Sequence, residues 1–299
     1  MKKSGFQNSL ITQIYIILVG ILFIGQIHAT VLDFSLNTFS QIKSLYDHKL
    51  IHSDKTLIVF DIDDTLLTTT EPLGGVGWWD WQYALLTKNP TSKKLVAANF
   101  DNLLKVQNYL FSIILMRPTD AYVLPFVKSL CSHQHSLMVL TARGRYLSTS
   151  TNQQLEKNGF TDSHHHLLFH TNQPAFKEIA SDKAGSFSCP HLKHPIEFSN
   201  GIMFLNGQDK GEALKCILGY TKQTYDTILF VDDSSKNTDA VRKAFNKTHG
   251  ITVFNILYTH EQARENEFRH SLALQKAAYL KWKELASKML PHLSLRSTT

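Results

Sequence analysis

The hydrophobic pattern of the chain alternates between short apolar runs and longer stretches with helical periodicity. The runs at 57–60, 136–140, 227–231 and 251–257 are typical of strands that are buried on both faces of a sheet. Helical spacing predicts helices between these strands at about 119–132, 145–158, 209–219 and 235–247. A further helix is predicted before the first strand by Phe39, Ile42, Tyr46 and Leu50. Strands that alternate with helices predict βαβ units, and therefore an α/β fold with a mainly parallel sheet.

Two stretches are longer than simple connections require. Residues 67–118 contain a Gly-rich segment, then Trp78, Trp79 and Trp81, and then helical patterns at about 92–114. Residues 171–206 contain three prolines and Asn200-Gly201 between apolar runs, which is a strong hairpin signal. We interpret both stretches as insertions carried by the core, the first of them a helical cap.

The last part of the chain, from about 260 to 290, has the pattern of one long helix. We expect its apolar stripe to pack on the core rather than on a partner. The stripe consists of Leu274, Ala278, Trp282, Leu285 and Met289.

The amino terminus has the three parts of an export signal: basic Lys2 and Lys3, an apolar run over 14–24, and the small residue Ala29. The run is shorter than the roughly 20 residues of a spanning helix. We therefore predict a cleaved signal at 1–29 and a mature domain at 30–299, located in the periplasm or secreted, with no stable membrane span after signal removal. An uncleaved membrane anchor is the alternative.

Composition and charge narrow the class of protein. A chain of 299 residues with 43% hydrophobic and 19% charged residues is neither disordered nor a many-span membrane protein. Its net charge is +6, to which Lys2 and Lys3 contribute, and it has no run of like charges, so nucleic-acid binding is not favoured.

The three cysteines allow one disulfide within a monomer, and their spacing does not select a pair. Cys131 and Cys216 lie in apolar helical patterns, so we expect them to be buried small hydrophobes; the remaining cysteine is Cys189.

The strongest chemical signal is Asp61-Ile62-Asp63-Asp64-Thr65, directly after a predicted buried strand. Three carboxylates within four residues are costly unless a cation neutralises them, and Mg²⁺ suits an oxygen-rich site that also binds phosphate. The alternative is an acidic turn in which Asp64 or Thr65 caps a helix.

A second strand end repeats this arrangement in Val231-Asp232-Asp233. In a parallel sheet the two strand ends meet at one edge, where ligands bind. We expect Asp232 to be the stronger metal ligand, because Asp233 is also placed to cap the next helix. Asn237 and Asp239 are candidates to orient the acids, with surface or capping roles as the alternative.

Two further residues are candidates for binding a phosphoryl group. Thr141 closes the predicted strand 136–140, where its hydroxyl can donate to a phosphoryl oxygen. Lys210 opens a predicted helix, a position that opposes the helix dipole and is better explained by an acidic or phosphate partner.

Together, these motifs resemble the four motifs of the haloacid dehalogenase superfamily over residues 55 to 258. The match consists of Asp61-x-Asp63-x-Thr65, Thr141, Lys210 and Asp232-Asp233, in that order. The resemblance implies a Rossmann-like three-layer core with a cap insertion. The chain also resembles exported bacterial members of this superfamily to which no function is assigned.

The resemblance also implies a role for each residue. Asp61 would attack phosphorus and form an aspartyl-phosphate, Asp63 would act as acid and base, and Thr141 and Lys210 would hold phosphoryl oxygens. Mg²⁺ would be bound by Asp61, the main-chain carbonyl of Asp63, Asp232 and Asp233. No other cofactor is implied. An acid at position 63 favours phosphate-ester chemistry over that of the transport ATPases or dehalogenases.

The resulting hypothesis is Mg²⁺-dependent hydrolysis of a small phosphomonoester. The alternatives are a non-catalytic binding or effector protein on the same fold, and a phosphotransferase to an acceptor other than water. The three tryptophans of 78–81, with Asp80 among them, either line a lid over the site or form a small aromatic core. Arg143 and Arg117 are candidates to bind a second anionic group of the substrate.

Two histidine groups match no standard zinc spacing, so we expect solvated loop residues there. They are His164-His165-His166 with His170, and His191 and His194 after Cys189.

Overall fold

A computed structural model describes residues 30–49, 55–132, 135–169, 184–221, 225–248 and 250–289. The predicted signal at 1–29 lies outside these ranges, as do Leu50, His170 and residues 171–183 of the predicted second insertion. None of the helices in the described ranges is both long and apolar enough to cross a membrane.

The fold is a mixed α/β structure with a largely parallel central sheet of eight strands. The strands in the order β1-β10-β9-β2-β5-β8 are parallel, and β7 and then β6 extend this sheet in antiparallel fashion. Their bounds are β1 Thr30–Leu36, β2 Thr56–Phe60, β5 Ser136–Thr141, β6 Gly185–Phe187, β7 Ile196–Ser199, β8 Ile202–Phe204, β9 Thr227–Asp232 and β10 Thr252–Tyr258.

Helices cover both faces of this sheet, and a further group of helices stands apart from it. A short 3₁₀ helix at Arg145–Leu147 precedes the fifth α-helix. The α-helices are α1 Phe39–Lys49, α2 Val76–Lys88, α3 Phe100–Ile113, α4 Val123–Ser132, α5 Ser148–Lys157, α6 Lys210–Thr221, α7 Ser235–Phe245, α8 Gln262–His270 and α9 Leu272–Met289.

The central strand β2 shows why the sequence folds in three layers. Its residues point alternately to opposite faces. Ile58 and Phe60 pack into a cluster that includes side chains of α1 and α4, whereas Leu57 and Val59 pack into a cluster with α6 and α7. A strand buried on both faces needs an unbroken apolar sequence, and this is the signal that predicted it.

Residues 67–118 leave the core and return to it through a two-stranded antiparallel ribbon of β3 Leu67–Thr69 and β4 Met116–Pro118. The ribbon ends carry α2 and α3. The predicted helical stretch at 92–114 is correct only from Phe100 onward, since Asn99 caps α3 by accepting a hydrogen bond from the Asn102 amide at 2.9 Å. We did not predict α2, because its tryptophans follow a Gly-rich segment.

The carboxyl-terminal stretch forms two helices, so the prediction of one long helix is wrong. Ser271 separates α8 from α9, and its Oγ accepts a hydrogen bond from the Leu274 amide, which begins a new helix. The predicted apolar stripe does pack inside the protein: Ala278 and Trp282 are buried against side chains of the α2–α3 segment.

The predicted hairpin is confirmed as β7 and β8, but both of its strands belong to the main sheet. Asn200 and Gly201 both have positive φ, as a tight two-residue turn requires, and a Cβ on Gly201 would lie 1.7 Å from the Phe169 carbonyl oxygen. β8 then pairs in parallel with β5. The sheet therefore includes part of the stretch 171–206 that we had assigned to an insertion.

Strand β1 was missed because it is an edge strand and not a buried run. Leu32, Phe34 and Leu36 alternate with exposed Asp33 and Ser35, the pattern of a half-buried strand, and β1 pairs in parallel with β10. The first strand thus precedes α1, which was itself predicted correctly.

Cys189, before β7, forms a disulfide with Cys216 of α6. The expectation that Cys216 is only a small hydrophobe is therefore wrong, although its helix does pack on the core. Cys131 is free but only half-buried, less than the full burial that we expected, and its thiol donates to the Leu168 carbonyl oxygen at 3.2 Å. Burial raises the pKa of the Cys131 thiol to about 11.

Removing the disulfide should destabilise the protein. Replacing Cys189 and Cys216 together by serine frees a loop spanning 27 residues in the unfolded chain. The free energy of unfolding should fall by about 2–4 kcal/mol, measured by urea denaturation without reductant. Cys131→Ser is the matched control and should cost less, since serine keeps a donor for Leu168. Equal stabilities of the double variant and this control would contradict the prediction.

Candidate active site at the switch point of the sheet

The order of the strands creates a crevice at the carboxyl end of β2. From β2 the chain moves to β5 and β8 on one side, and later to β9 and β10 on the other. Such a reversal is where open α/β sheets bind ligands. Phe60 of β2 pairs with Val231 of β9, and the Asp61 amide donates to the Val231 carbonyl oxygen at 3.0 Å, so Asp61 and Asp232 end adjacent strands.

Lys210 joins these two aspartates. Its Nζ lies 2.6 Å from Asp61 Oδ1 and 2.7 Å from Asp232 Oδ2, and all three side chains are almost completely buried. Three predicted site residues, which are far apart in the sequence, are thus in direct contact. The acidic partner expected for a lysine at a helix start is Asp61 together with Asp232.

The neighbouring glycine lets Lys210 reach this position. A Cβ on Gly211 would lie 2.2 Å from the Ala240 carbonyl oxygen of α7. Only glycine therefore allows the start of α6 to lie directly against the main chain of α7. We did not single out Gly211 from the sequence, because this contact is purely tertiary.

Burial and charge shift the acidity of this group. Burial raises the pKa of Asp61 to about 7 despite the opposing charge of Lys210, and Asp232 and Asp63 add to the rise. Burial alone would lower the pKa of Lys210, but the charges of Asp232 and Asp61 and their hydrogen bonds raise it instead. Lys210 is therefore a fixed positive charge, whereas Asp61 lacks enough neighbouring positive charge.

The two acids at the end of β9 have different surroundings. Asp232 accepts from Lys210 through Oδ2, and from the Ser234 amide and Asn237 Nδ2 through Oδ1, at 3.0 and 2.9 Å. Among the described residues, none forms a hydrogen bond with the Asp233 side chain. The structure thus places Asp233, which we expected to be the weaker ligand, with its oxygens uncommitted. Asn237 orients Asp232, whereas Asp239 pairs with Arg242 at the surface.

Two overlapping groups of acids have a geometry that suits a cation. One ligand oxygen from each of Asp61, Asp232 and Asp233 lies within 4.8 Å of the others, and the same holds for Asp64, Asp233 and Glu265. Burial, above all, raises the pKa of Asp233 well above its usual value, and the surrounding acids add to this. Carboxylate oxygens are the donors that hard divalent cations prefer, so this set fits such an ion.

Sequence reasoning missed Glu265. It lies in α8, about 200 residues after Asp64, and its carboxyl group forms a hydrogen bond with that of Asp64. Burial raises the pKa of both groups. Asp64 has a φ of 53°, an uncommon conformation that turns the chain after β2 toward β3. An acid on a surface helix carries no sequence signal for this role.

Asp63 points to a different partner. Both of its oxygens accept hydrogen bonds from Arg143, at 2.9 Å from Nε and 2.7 Å from Nη2. Arg143 is itself held by Thr151 and Gln154, and its guanidinium lies 4.2 Å from the centre of the Phe111 ring. The hypothesis that Arg143 binds a second anionic group of the substrate therefore does not fit its contacts.

Arg117 is likewise engaged, in an ion pair with buried Glu261 at 2.9 Å. Thr141 is fully buried at the end of β5, and its Oγ1 accepts a hydrogen bond from the Arg143 amide at 3.2 Å. The predicted phosphoryl-binding hydroxyl thus lies at the base of the loop that carries Arg143.

A cleft of about 510 Å³ opens over Asp61, Asp63 and Asp233, between the core and the α2–α3 segment. The two interpretations of the tryptophans, an aromatic core and a lining of the site, apply to different residues. Trp78 is buried in the aromatic core with Trp282, and Trp81 packs on Phe268, whereas Trp79 lines the cleft. Asp80 points away to pair with Arg269 at the surface.

The histidines do not form a metal site among the described residues, whose candidate metal groups contain only acids. His164 and His166 are exposed, and their main-chain amides donate to Asp162 Oδ1, while His194 lines the cleft. Cys189 is in the disulfide and is therefore not a metal ligand.

A family model described as "Protein of unknown function (DUF2608)" matches residues 35–291, so the chain belongs to this family. No curated protein matches the chain significantly.

The excess of buried acids predicts how stability depends on pH and on a divalent cation. The usual pKa of Asp61, 3.8, is raised to about 7 by folding, and the pKa values of Asp64, Asp233 and Glu265 are raised too. Between these pH values the folded protein holds protons that the unfolded chain has released. The free energy of unfolding of chelator-treated protein should therefore fall from about pH 4 to 7, by about 1.4 kcal/mol per unit of raised pKa.

Saturating MgCl₂ at pH 7.5 should reverse this loss and raise the melting temperature by about 5–10 °C, measured by differential scanning calorimetry. Sodium chloride at equal ionic strength is the first control. Asp233→Asn is the second, and should reduce both the pH dependence and the Mg²⁺ effect. If MgCl₂ and NaCl gave the same melting temperature, no divalent-cation site would be present.

Proposed function

We propose that this protein is a Mg²⁺-dependent phosphohydrolase of the haloacid dehalogenase type, which hydrolyses a small phosphomonoester through an aspartyl-phosphate on Asp61. The observation that carries the proposal is the contact of Lys210 with Asp61 and Asp232 at the switch point of the sheet. The contact supports the proposal because it brings together three residues that are distant in the sequence and that the resemblance to the superfamily assigns to one site.

Asp61 has the properties required of a nucleophile. Its Oδ1 is held by Lys210, so its orientation is fixed, and it also lines the cleft. In the proposed reaction one Asp61 oxygen forms a bond to phosphorus while the bond to the leaving oxygen breaks. Water then attacks the phosphorus of this acyl phosphate, which releases inorganic phosphate and restores the carboxylate.

Lys210 would stabilise the negative charge on the phosphoryl group, since it is a permanent cation at the site. A bound Mg²⁺, held by Asp61, Asp232 and Asp233 with the main-chain carbonyl of Asp63, would supply further charge neutralisation. Asp233 fits this role because its oxygens are uncommitted among the described residues.

Asp63 would protonate the leaving oxygen and then accept a proton from the attacking water. Its side chain is 26% exposed and lines the cleft, so it can reach both. The two hydrogen bonds from Arg143 fix its orientation, which makes Arg143 a positioning residue in this proposal. Thr141 would donate from the end of β5 to a phosphoryl oxygen.

Two further features, the α2–α3 segment and the disulfide, are consistent with the same proposal. The α2–α3 segment, which leaves the core on the β3–β4 ribbon and lines the cleft, would be the cap. The Cys189–Cys216 disulfide supports export, since disulfides persist in the periplasm or outside the cell and not in the cytosol. We therefore retain the predicted export signal and a periplasmic or secreted location.

The test is release of inorganic phosphate from a panel of phosphomonoesters by residues 30–299, with Mg²⁺ and with chelator. Asp61→Asn should lower turnover on the order of a thousandfold or more, because an amide cannot form the covalent intermediate. Asp226→Asn is the matched control. Asp226 immediately precedes the first residue of β9, at the end of the strand opposite to Asp232. Its side chain is 63% exposed, and its substitution should leave turnover unchanged.

Full activity of Asp61→Asn, with folding checked by circular dichroism, would contradict the mechanism. Activity that persists in chelator would contradict the role of Mg²⁺. Transfer of phosphate to an added alcohol, with little release to water, would identify a phosphotransferase that uses the same intermediate.

A further inference from the structure

The walls of the cleft differ in character from its floor. The floor contains Asp61, Asp63 and Asp233, whereas aromatic rings line the cleft on two sides. Trp79 and Phe100 lie on the α2–α3 segment, and Tyr146 lies on the 3₁₀ helix that follows β5. The volume of about 510 Å³ exceeds the space that a phosphoryl group needs and is typical of a pocket for a small organic ligand.

Two of these three rings are exposed although they are large and apolar. Phe100 is 44% and Tyr146 is 47% exposed, and both line the cleft. The Trp79 and Phe100 rings meet edge to face with their centroids 6.1 Å apart, so their positions are mutually fixed. Exposed rings held in place beside a charged floor are suited to contact the flat face of a ligand.

The charge of the cleft excludes a second anionic group on the ligand. Among the described residues that line it, Arg143 is the only lysine or arginine, and both oxygens of Asp63 occupy it. Asp101, at the start of α3, adds a negative charge near Phe100. A second phosphate or a carboxylate would therefore meet acids, and no lysine or arginine of the described lining is free to bind it.

From these features we propose that the ligand is a phosphomonoester whose leaving group carries an aromatic ring and has no anionic group of its own. This inference rests on the proposed function for the phosphoryl end, and on the cleft walls for the ring. The ring is either bonded directly to the ester oxygen, as in an aryl phosphate, or separated from it by a sugar, as in a nucleoside 5′-monophosphate.

Binding of non-hydrolysable phosphonates separates recognition from catalysis. Isothermal titration in MgCl₂ compares phenylphosphonate with cyclohexylphosphonate, which has similar size but no flat ring, and with 3-phosphonopropionate, which adds a carboxylate. The phenyl compound should bind about three- to tenfold more tightly than the cyclohexyl compound, and 3-phosphonopropionate should bind most weakly. Equal binding of phenyl and cyclohexyl compounds, or tightest binding of the carboxylate, would overturn the proposal.

Variants test whether the named rings cause this preference. Phe100→Leu and Tyr146→Leu should each reduce the ratio of phenyl to cyclohexyl affinity to about twofold or less. Tyr220→Leu is the control, because Tyr220 is 44% exposed but stacks on Phe187 outside the cleft, and its ratio should not change. An unchanged ratio in both cleft variants would overturn the proposal.

Hydrolysis then separates the two sources of the ring and the two levels of inference. Phenyl phosphate and a nucleoside 5′-monophosphate are compared with glycerol phosphate and a sugar bisphosphate. Faster turnover of either ring-bearing ester supports the proposal and identifies its source, whereas a preference for the sugar bisphosphate contradicts it. Ring-selective phosphonate binding without phosphate release from any ester would contradict the proposed function but support the proposed ligand class. Phosphate release without ring selectivity would support the proposed function but contradict the ligand class.

Discussion

The ammonium group of Lys210, buried between two carboxylates, is the interaction on which the site depends. Asp61 and Asp232 end adjacent parallel strands, where their charges repel each other unless a cation lies between them. Removing one partner of such a buried set typically costs about 3–5 kcal/mol, because the remaining charge is left uncompensated. The same contact ties the start of α6 to the sheet, and the close approach of Gly211 to α7 keeps it there.

One lysine does not balance the acids around it. Asp64, Asp233 and Glu265 extend the cluster away from Lys210, and burial raises the pKa of each. Of these three acids, Glu265 has an ion pair, with Arg269 at 2.6 Å. Arg143, which lines the cleft, is engaged by Asp63 and held in place by its other contacts. The protein thus concentrates more carboxylates than cationic side chains at one point and fixes their surroundings, which is the arrangement expected of a site that holds a divalent cation.

Sequence patterns predicted those parts of the structure that are encoded locally. Buried strands have continuous apolar runs, so β2, β5, β9 and β10 and the acids at the ends of β2 and β9 could be located. Glu265, the Asp63–Arg143 pair and the choice of Cys216 as the partner of Cys189 depend on tertiary contacts between distant segments. The break at Ser271 had a local signal, a capping residue, but the apolar stripe from Leu274 to Met289 lies entirely after it and could not show where the helix begins.

The position of Glu265 in the chain makes the site depend on the order of synthesis. α8 brings this acid to Asp64, and α9 covers the α2–α3 segment with Trp282. β1, the first strand in the chain, pairs with β10, the last. A ribosome releases the amino-terminal part first, and domains fold as they become complete. The nascent protein therefore has Asp61 long before it has the last acid of the cluster, so the complete acidic cluster can assemble only once nearly every residue has been made.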